Sequence, residues 1–242
     1  MDGKPKGRLK VDEWPRIIQQ WLYPPTCILC DAPGHDGLDL CPGCRSGLPY
    51  CRHACPRCAA ALPEAAPPHA LCGRCQKKPP VFDSATALFH YEEPARHLLR
   101  ALKFGHRHAC ARLLGELLAA RLETLPERPQ LIIPVPLHPK RYTERGFNQS
   151  LELARLLSQR LGIPLDARHC RRIRTTPPQS RLTALQRRRN LRGAFHIKGA
   201  IQADHIAILD DIVTTGATVG ALARALRQAG VKRIDIWCCA RA

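Results

Sequence analysis

The stretch Ile206 to Thr218, IAILDDIVTTGAT, assembles residue types that suit a sugar phosphate. An apolar run, two adjacent acids and Thr-Thr-Gly-Ala-Thr opening a helix would gather backbone N–H groups, hydroxyls and a helix N-terminus around one point. That is the chemistry of a phosphomonoester cradle, because unsatisfied N–H groups and the helix dipole both favour an anion. Gly216 would allow a turn and a close backbone approach that a Cβ would block, while Thr214, Thr215 and Thr218 add side-chain donors. Asp210 and Asp211 fall at the carboxyl end of the strand, where ligands of open α/β sheets bind. There they can accept hydrogen bonds from vicinal sugar hydroxyls, directly or through Mg2+. An ordinary buried strand followed by a Thr-rich cap is the plain structural reading of the same residues.

A second chemistry is written in cysteine. Four C-x2-C pairs, Cys27/Cys30, Cys41/Cys44, Cys55/Cys58 and Cys72/Cys75, are separated by 10, 10 and 13 residues. One such turn aims two thiolates at a point about 2.3 Å away, and two turns complete a tetrahedral S4 site. Eight cysteines therefore predict two structural Zn2+ sites and leave Cys51 over. Iron-sulfur ligation needs the same thiolates, and a disulfide framework is the third reading. Sequential and interleaved pairing of the knuckles both satisfy every ligand. With eight thiolates available, His35, His53 and His69 are read as surface residues, and closed S4 sites are assigned to structure or partner binding.

The elements that must position these groups follow from composition. At 242 residues the chain is long enough for one large domain plus an appendage, and 45% apolar content excludes disorder throughout. Residues 1–22 read as a polar tail and one amphipathic helix, with Trp14, Ile17, Ile18, Trp21 and Leu22 on one stripe. Residues 23–80 are rich in Cys, Pro, Gly and Ala without apolar periodicity, so metal must substitute for a core. From 81 to 242, strands (SATALFHY, LIIPV, IAILDD, RIDIWCCA) alternate with helical stretches at 94–104, 109–125, 148–161 and 219–229. That alternation predicts an α/β fold, a parallel sheet with flanking helices. No apolar run approaches the ~18 residues of a membrane span, and the basic start is followed by DEWPR, so the chain is expected to be cytoplasmic.

Two longer segments join these motifs in a resemblance. IAILDDIVTTGAT resembles the PRPP motif of type I phosphoribosyltransferases along all 13 residues. LIIPVPLHPKRYTERGFNQS, RIRTTPPQSRLTALQRRRNLRGAF and the four-knuckle segment resemble the ComF/GntX family of phosphoribosyltransferase-like proteins, from Cys27 onward. The resemblance implies that Asp210 and Asp211 hold the ribose 2′- and 3′-hydroxyls of 5-phosphoribosyl-1-pyrophosphate (PRPP). It implies that Thr214, Thr215, Gly216, Ala217 and Thr218 bind the 5′-phosphate. The loop after LIIPV, with Pro136, Lys140, Arg141 and Arg145, inherits the pyrophosphate role. Residues 174–192, with Gln179, Arg181, Arg187 and Arg188, would be the mobile loop that closes over the ligand. A role in DNA uptake during natural transformation is implied as well.

The charge bears on both roles. The formal net charge is +18, and residues 168–192 hold nine arginines with no Asp or Glu. Eight zinc-bound thiolates against two Zn2+ take four units away, leaving about +14. Polyphosphate explains part of this excess, so it permits single-stranded DNA without requiring it. Aromatic residues for base stacking are few. Only 24 residues follow Thr218, too few for a cap that recognises a base. Three functions stay open: a phosphoribosyltransferase of unknown acceptor, a DNA-handling protein with competence partners, and a PRPP-binding regulator without turnover.

Overall fold

The computed structural model describes residues 24–104, 108–174, 191 and 193–242. The expected helix at 12–22 and the loop residues Gln179, Arg181, Arg187 and Arg188 lie outside the described residues. The chain divides into two compact units, Met1–Leu48 and Pro49–Ala242. Composition changes at 80, whereas packing divides at 48, between the second and third cysteine knuckles.

The described part of the first unit has almost no apolar interior. Cys27, Leu40 and Leu48 are its buried side chains, and short bridges pair Thr26 with Pro33 and His35 with Leu38. Helix α1 (Pro42–Ser46), the one helix among its described residues, starts on Cys41, whose Sγ accepts from Cys44 N at 3.4 Å.

The second unit opens with the remaining two knuckles and a short helix, α2 (Gly73–Lys77). The chain continues as β1 (Ser84–His90), α3 (Ala95–Phe104), α4 (His108–Glu123) and β2 (Leu131–Pro134). It goes on through α5 (Pro139–Arg145), α6 (Gln149–Leu161), β3 (Cys170–Arg172), β4 (Phe195–Ile197), β5 (His205–Val213), α7 (Ala217–Gln228) and β6 (Arg233–Arg241). The main sheet has the order β1-β6-β5-β2, all parallel, with Ile208 opposite Ile133 and Ile236. Ile206, Ala207, Ile208 and Leu209 are all fully buried, so β5 is covered on both faces, as an apolar parallel strand must be.

Helix ends follow their sequence. Asn148 caps α6, its Oδ1 accepting from Ser150 N at 3.1 Å, and Gly162 closes the helix with φ 67°. Two features differ from the expected outline. The loop PLHPKRYTERGF contains α5, because His138 caps Lys140 N, Pro139 takes the first helical position, and Gly146 at φ 76° ends the turn. The arginine-rich stretch is flanked by an antiparallel pair, β3 and β4, with Arg171 opposite His196.

The segment before 80 also shares in a core. Cys51 and Ala59 are buried in one cluster with Phe82, Ile208, Ile236 and Leu222. Cys51 N donates to Leu88 O at 2.9 Å, and burial pushes the Cys51 thiol up to about 11, so it behaves as a small apolar side chain.

Candidate functional site

The eight knuckle cysteines form two clusters, Cys27/Cys30/Cys41/Cys44 and Cys55/Cys58/Cys72/Cys75, with the four sulfurs of each within 4.8 Å of one another. Pairing is therefore sequential. Cys30 and Cys41 sulfurs are 3.7 Å apart and those of Cys58 and Cys72 are 3.6 Å apart. A tetrahedron with Zn–S near 2.3 Å has sulfurs about 3.8 Å apart, so both sets fit Zn2+. The second cluster belongs wholly to the second unit.

A cavity of about 470 Å3 opens at the carboxyl ends of β2 and β5. One wall is the β5–α7 turn: Asp210, Asp211, Ile212, Val213, Thr214, Gly216, Ala217, Thr218 and Val219. A second wall comes from the β2–α6 connection, with Val135, Leu137, Arg141, Arg145, Gln149 and Ser150. Tyr91, just past β1, Lys103 of α3 and Arg172 of β3 complete it. A parallel sheet brings such distant loops to one edge because every strand delivers its following loop to the same end.

Gly216 has φ 73° and ψ 10°, in the left-handed region, and it caps α7 without a side-chain bond. An added Cβ there would meet nothing within 4 Å, so the glycine is required by its backbone angle and not by crowding. Thr215 Oγ1 takes Ala217 N at 3.3 Å, which satisfies one amide of the first turn.

The acids are organised by local hydrogen bonds. Asp210 Oδ1 accepts from Ser150 Oγ at 3.2 Å and from Asp211 N at 3.0 Å. Asp211 Oδ1 accepts from Ile212 N at 2.8 Å. Asp210 keeps partial exposure into the cavity, yet the protein around its carboxyl, and then the Asp211 charge, push its pKa well above the usual carboxylate range. A carboxylate held at such cost suits a cation or sugar hydroxyls arriving with a ligand.

Arg172, which lines the same cavity, is only 7% exposed, with its guanidinium 5.8 Å from the Phe195 ring centre. Burial, followed by the nearby Arg141 charge, lowers its pKa. Two guanidiniums lining one cavity, one of them nearly buried, make its surface favourable to an anion. Of the residues expected to meet pyrophosphate, Arg141 and Arg145 line the cavity, whereas Pro136 and the exposed Lys140 do not; Thr215, expected in the 5′-phosphate set, is not among the lining residues either. Arg172, Ser150, Tyr91 and Lys103 were not singled out from sequence as site residues. Only the density of arginine around position 172 offered a signal.

Comparison with known proteins gives three findings. The family model Double zinc ribbon domain matches residues 18–79. The chain is 38% identical over 232 residues to DNA utilization protein YhgH of Salmonella typhimurium, covering 94% of this chain and 93% of that protein. It is 35% identical over 229 residues to competence protein F of Haemophilus influenzae, covering 89% and 96%. Among solved structures, adenine phosphoribosyltransferase of Leishmania tarentolae overlaps 56% of this chain and 73% of that chain, with 13% identity and a TM-score of 0.31. That overlap is too loose to carry an argument. Among the described residues, no helix is long and apolar enough to cross a membrane.

Proposed function

The chain belongs to the ComF/GntX family of phosphoribosyltransferase-like proteins, and from that membership we propose that it binds PRPP with magnesium and serves DNA uptake or utilisation by handling single-stranded DNA. The observation that carries the ligand reading is the convergence, in one cavity, of Asp210 and Asp211 with the Gly216-turned N-terminus of α7 and the guanidiniums of Arg141, Arg145 and Arg172. Vicinal hydroxyls suit the acids, a 5′-phosphate suits the Thr214–Thr218 turn, and pyrophosphate suits the arginines. Asp210 and Asp211 would hold Mg2+ together with the ligand oxygens. When bound, the ion would neutralise charge on the pyrophosphate.

For the nucleic acid, support comes from charge and from one aromatic residue. Tyr142 is 48% exposed on α5, directly after Arg141 and three residues before Arg145. A base can stack there while the backbone meets cations. The name of one relative, DNA utilization protein YhgH, supplies the DNA context, and that of the other, competence protein F, the link to competence.

Calorimetric titration of PRPP with MgCl2 into the zinc-loaded protein tests the ligand. One site per chain is expected, lost in the D210N/D211N double variant; no heat at millimolar PRPP would overturn the reading. Binding of an oligo-dT strand is expected to weaken steeply between about 50 and 200 mM salt, since phosphate contacts release counterions. Absence of binding at the lower salt would remove the DNA half. Pyrophosphate release from PRPP with a panel of nucleobases distinguishes a transferase from a regulator without turnover.

A further inference from the structure

The carbonyl side of the phosphate loop is held by two arginines, and both lead to the second cysteine cluster. Arg74 lies on α2 between the ligands Cys72 and Cys75, and its Nη2 donates to Thr215 O at 3.0 Å. Arg241, at the end of β6, donates from Nε to the carbonyl of the ligand Cys58 at 3.0 Å. Its Nη1 donates to Val213 O at 3.1 Å and also to Thr214 O. The carbonyls of Val213, Thr214 and Thr215, three in a row, are thus each taken by a guanidinium tied to that cluster.

A trans peptide is planar, and its C=O points opposite to the N–H of the next residue. Fixing those three carbonyls therefore directs the N–H groups of Thr214, Thr215 and Gly216 to the other side. Thr214 and Gly216 line the cavity. Among the described residues no protein acceptor takes these three N–H groups. Successive N–H groups turned to one side form a nest for an anion, and they attract it only while their peptide planes keep one orientation.

We propose that Arg74 and Arg241 are positioning residues that carry the metal-held geometry of the Cys55/Cys58/Cys72/Cys75 cluster to the anion-binding amides of Thr214–Gly216. Zinc in this cluster then governs how tightly the cavity holds phosphate, in addition to holding its own segment together. The inference rests on reading the cavity as a phosphate-ester site, and it adds a control on that site. Arg74 is exposed on the surface of the unit, so its contribution is that of one partly solvated charge-assisted hydrogen bond.

The test compares the zinc-loaded native chain with R74A, R74K and R241A by 15N relaxation, alongside metal content and the dissociation constants of PRPP and inorganic phosphate. In the native chain the Thr214, Thr215 and Gly216 amides are expected near the rigid-backbone order parameter of about 0.85. R74A, retaining two zinc ions per chain, is expected to lower these values toward about 0.6 and to weaken PRPP binding about five- to tenfold. R74K should recover part of both, and R241A should lower both further. Chelation of the native chain should lower the same order parameters. Unchanged values in R74A and R241A, or amides already mobile in the native chain, would overturn the inference, as would a metal-free chain whose loop is as ordered as the loaded one. The relaxation comparison uses no ligand, so failure of native protein to bind PRPP would sink the functional reading separately.

Discussion

Gly216→Ala isolates the backbone angle on which the β5–α7 turn depends. The residue sits at φ 73° and ψ 10°. A side chain in that region costs about 1–2 kcal/mol because Cβ approaches the carbonyl oxygen. Nothing lies within 4 Å of the added Cβ, so no collision adds to this. The alanine also restricts the unfolded chain, which returns about 0.4–1 kcal/mol, leaving a net loss near 1 kcal/mol. For a unit of this size that lowers the melting temperature by about 2–4 °C. With Trp14 and Trp21 replaced by Phe, fluorescence of Trp237, 2% exposed in β6, follows the melt of the unit that contains the turn. Asparagine tolerates the left-handed region, so Gly216→Asn should lose about half as much. Gly73→Ala, at the first position of α2 where an added Cβ also meets nothing, should leave the melt unchanged or slightly raised. Equal losses for alanine and asparagine at 216, or none for alanine, would refute the assignment of strain to that angle.

Three other outcomes are expected. Asp210 has a raised folded pKa, so its contribution to stability is present below the ordinary carboxylate value and is lost as pH rises through the folded one. D210N should therefore raise the melting temperature of the ligand-free protein at pH 7 while weakening PRPP binding by more than about tenfold, and a lower melting temperature would contradict the electrostatic reading. C55S should bring the zinc content from two ions to one and lower the melt of the second unit, whereas C27S should lose one zinc with the Trp237 melt retained, as mass spectrometry and fluorescence would record. Cys51, Cys110, Cys170, Cys238 and Cys239 are all buried, and burial lifts the Cys51 thiol to about 11 and that of Cys170 to about 12. Folded protein stripped with a chelator should then expose eight thiols to a colorimetric reagent at pH 8, and the remaining five only on denaturation.

Much of this was readable because it is local. The apolar run from Ile206 to Leu209, the Asp pair and the Gly216 turn sit within 13 consecutive residues, and the helix caps Asn148 and Gly162 announce themselves by type. The cysteine spacing foretold two S4 sites, but both pairings satisfied the ligands, so only three-dimensional proximity decided between them. Helix α5 was hidden because a seven-residue helix carries too few turns for periodicity to register. The β3–β4 pair was hidden because each strand has three residues. Ser150 and Arg172 were missed for another reason: their partner in the site, Asp210, is 60 and 38 positions away, and no local pattern encodes such a meeting.

The β3–β4 pair also has a kinetic meaning. Arg172 and Phe195 face each other across it, so the intervening residues leave from and return to the cavity wall that Arg172 forms. Pairing two strands that lie this far apart in sequence requires closing a loop of about twenty residues, at an entropic cost that grows only with the logarithm of loop length. The wall that carries Arg172 is therefore complete only after that closure, and the time at which the cavity assembles during folding is set by loop closure as much as by any single contact.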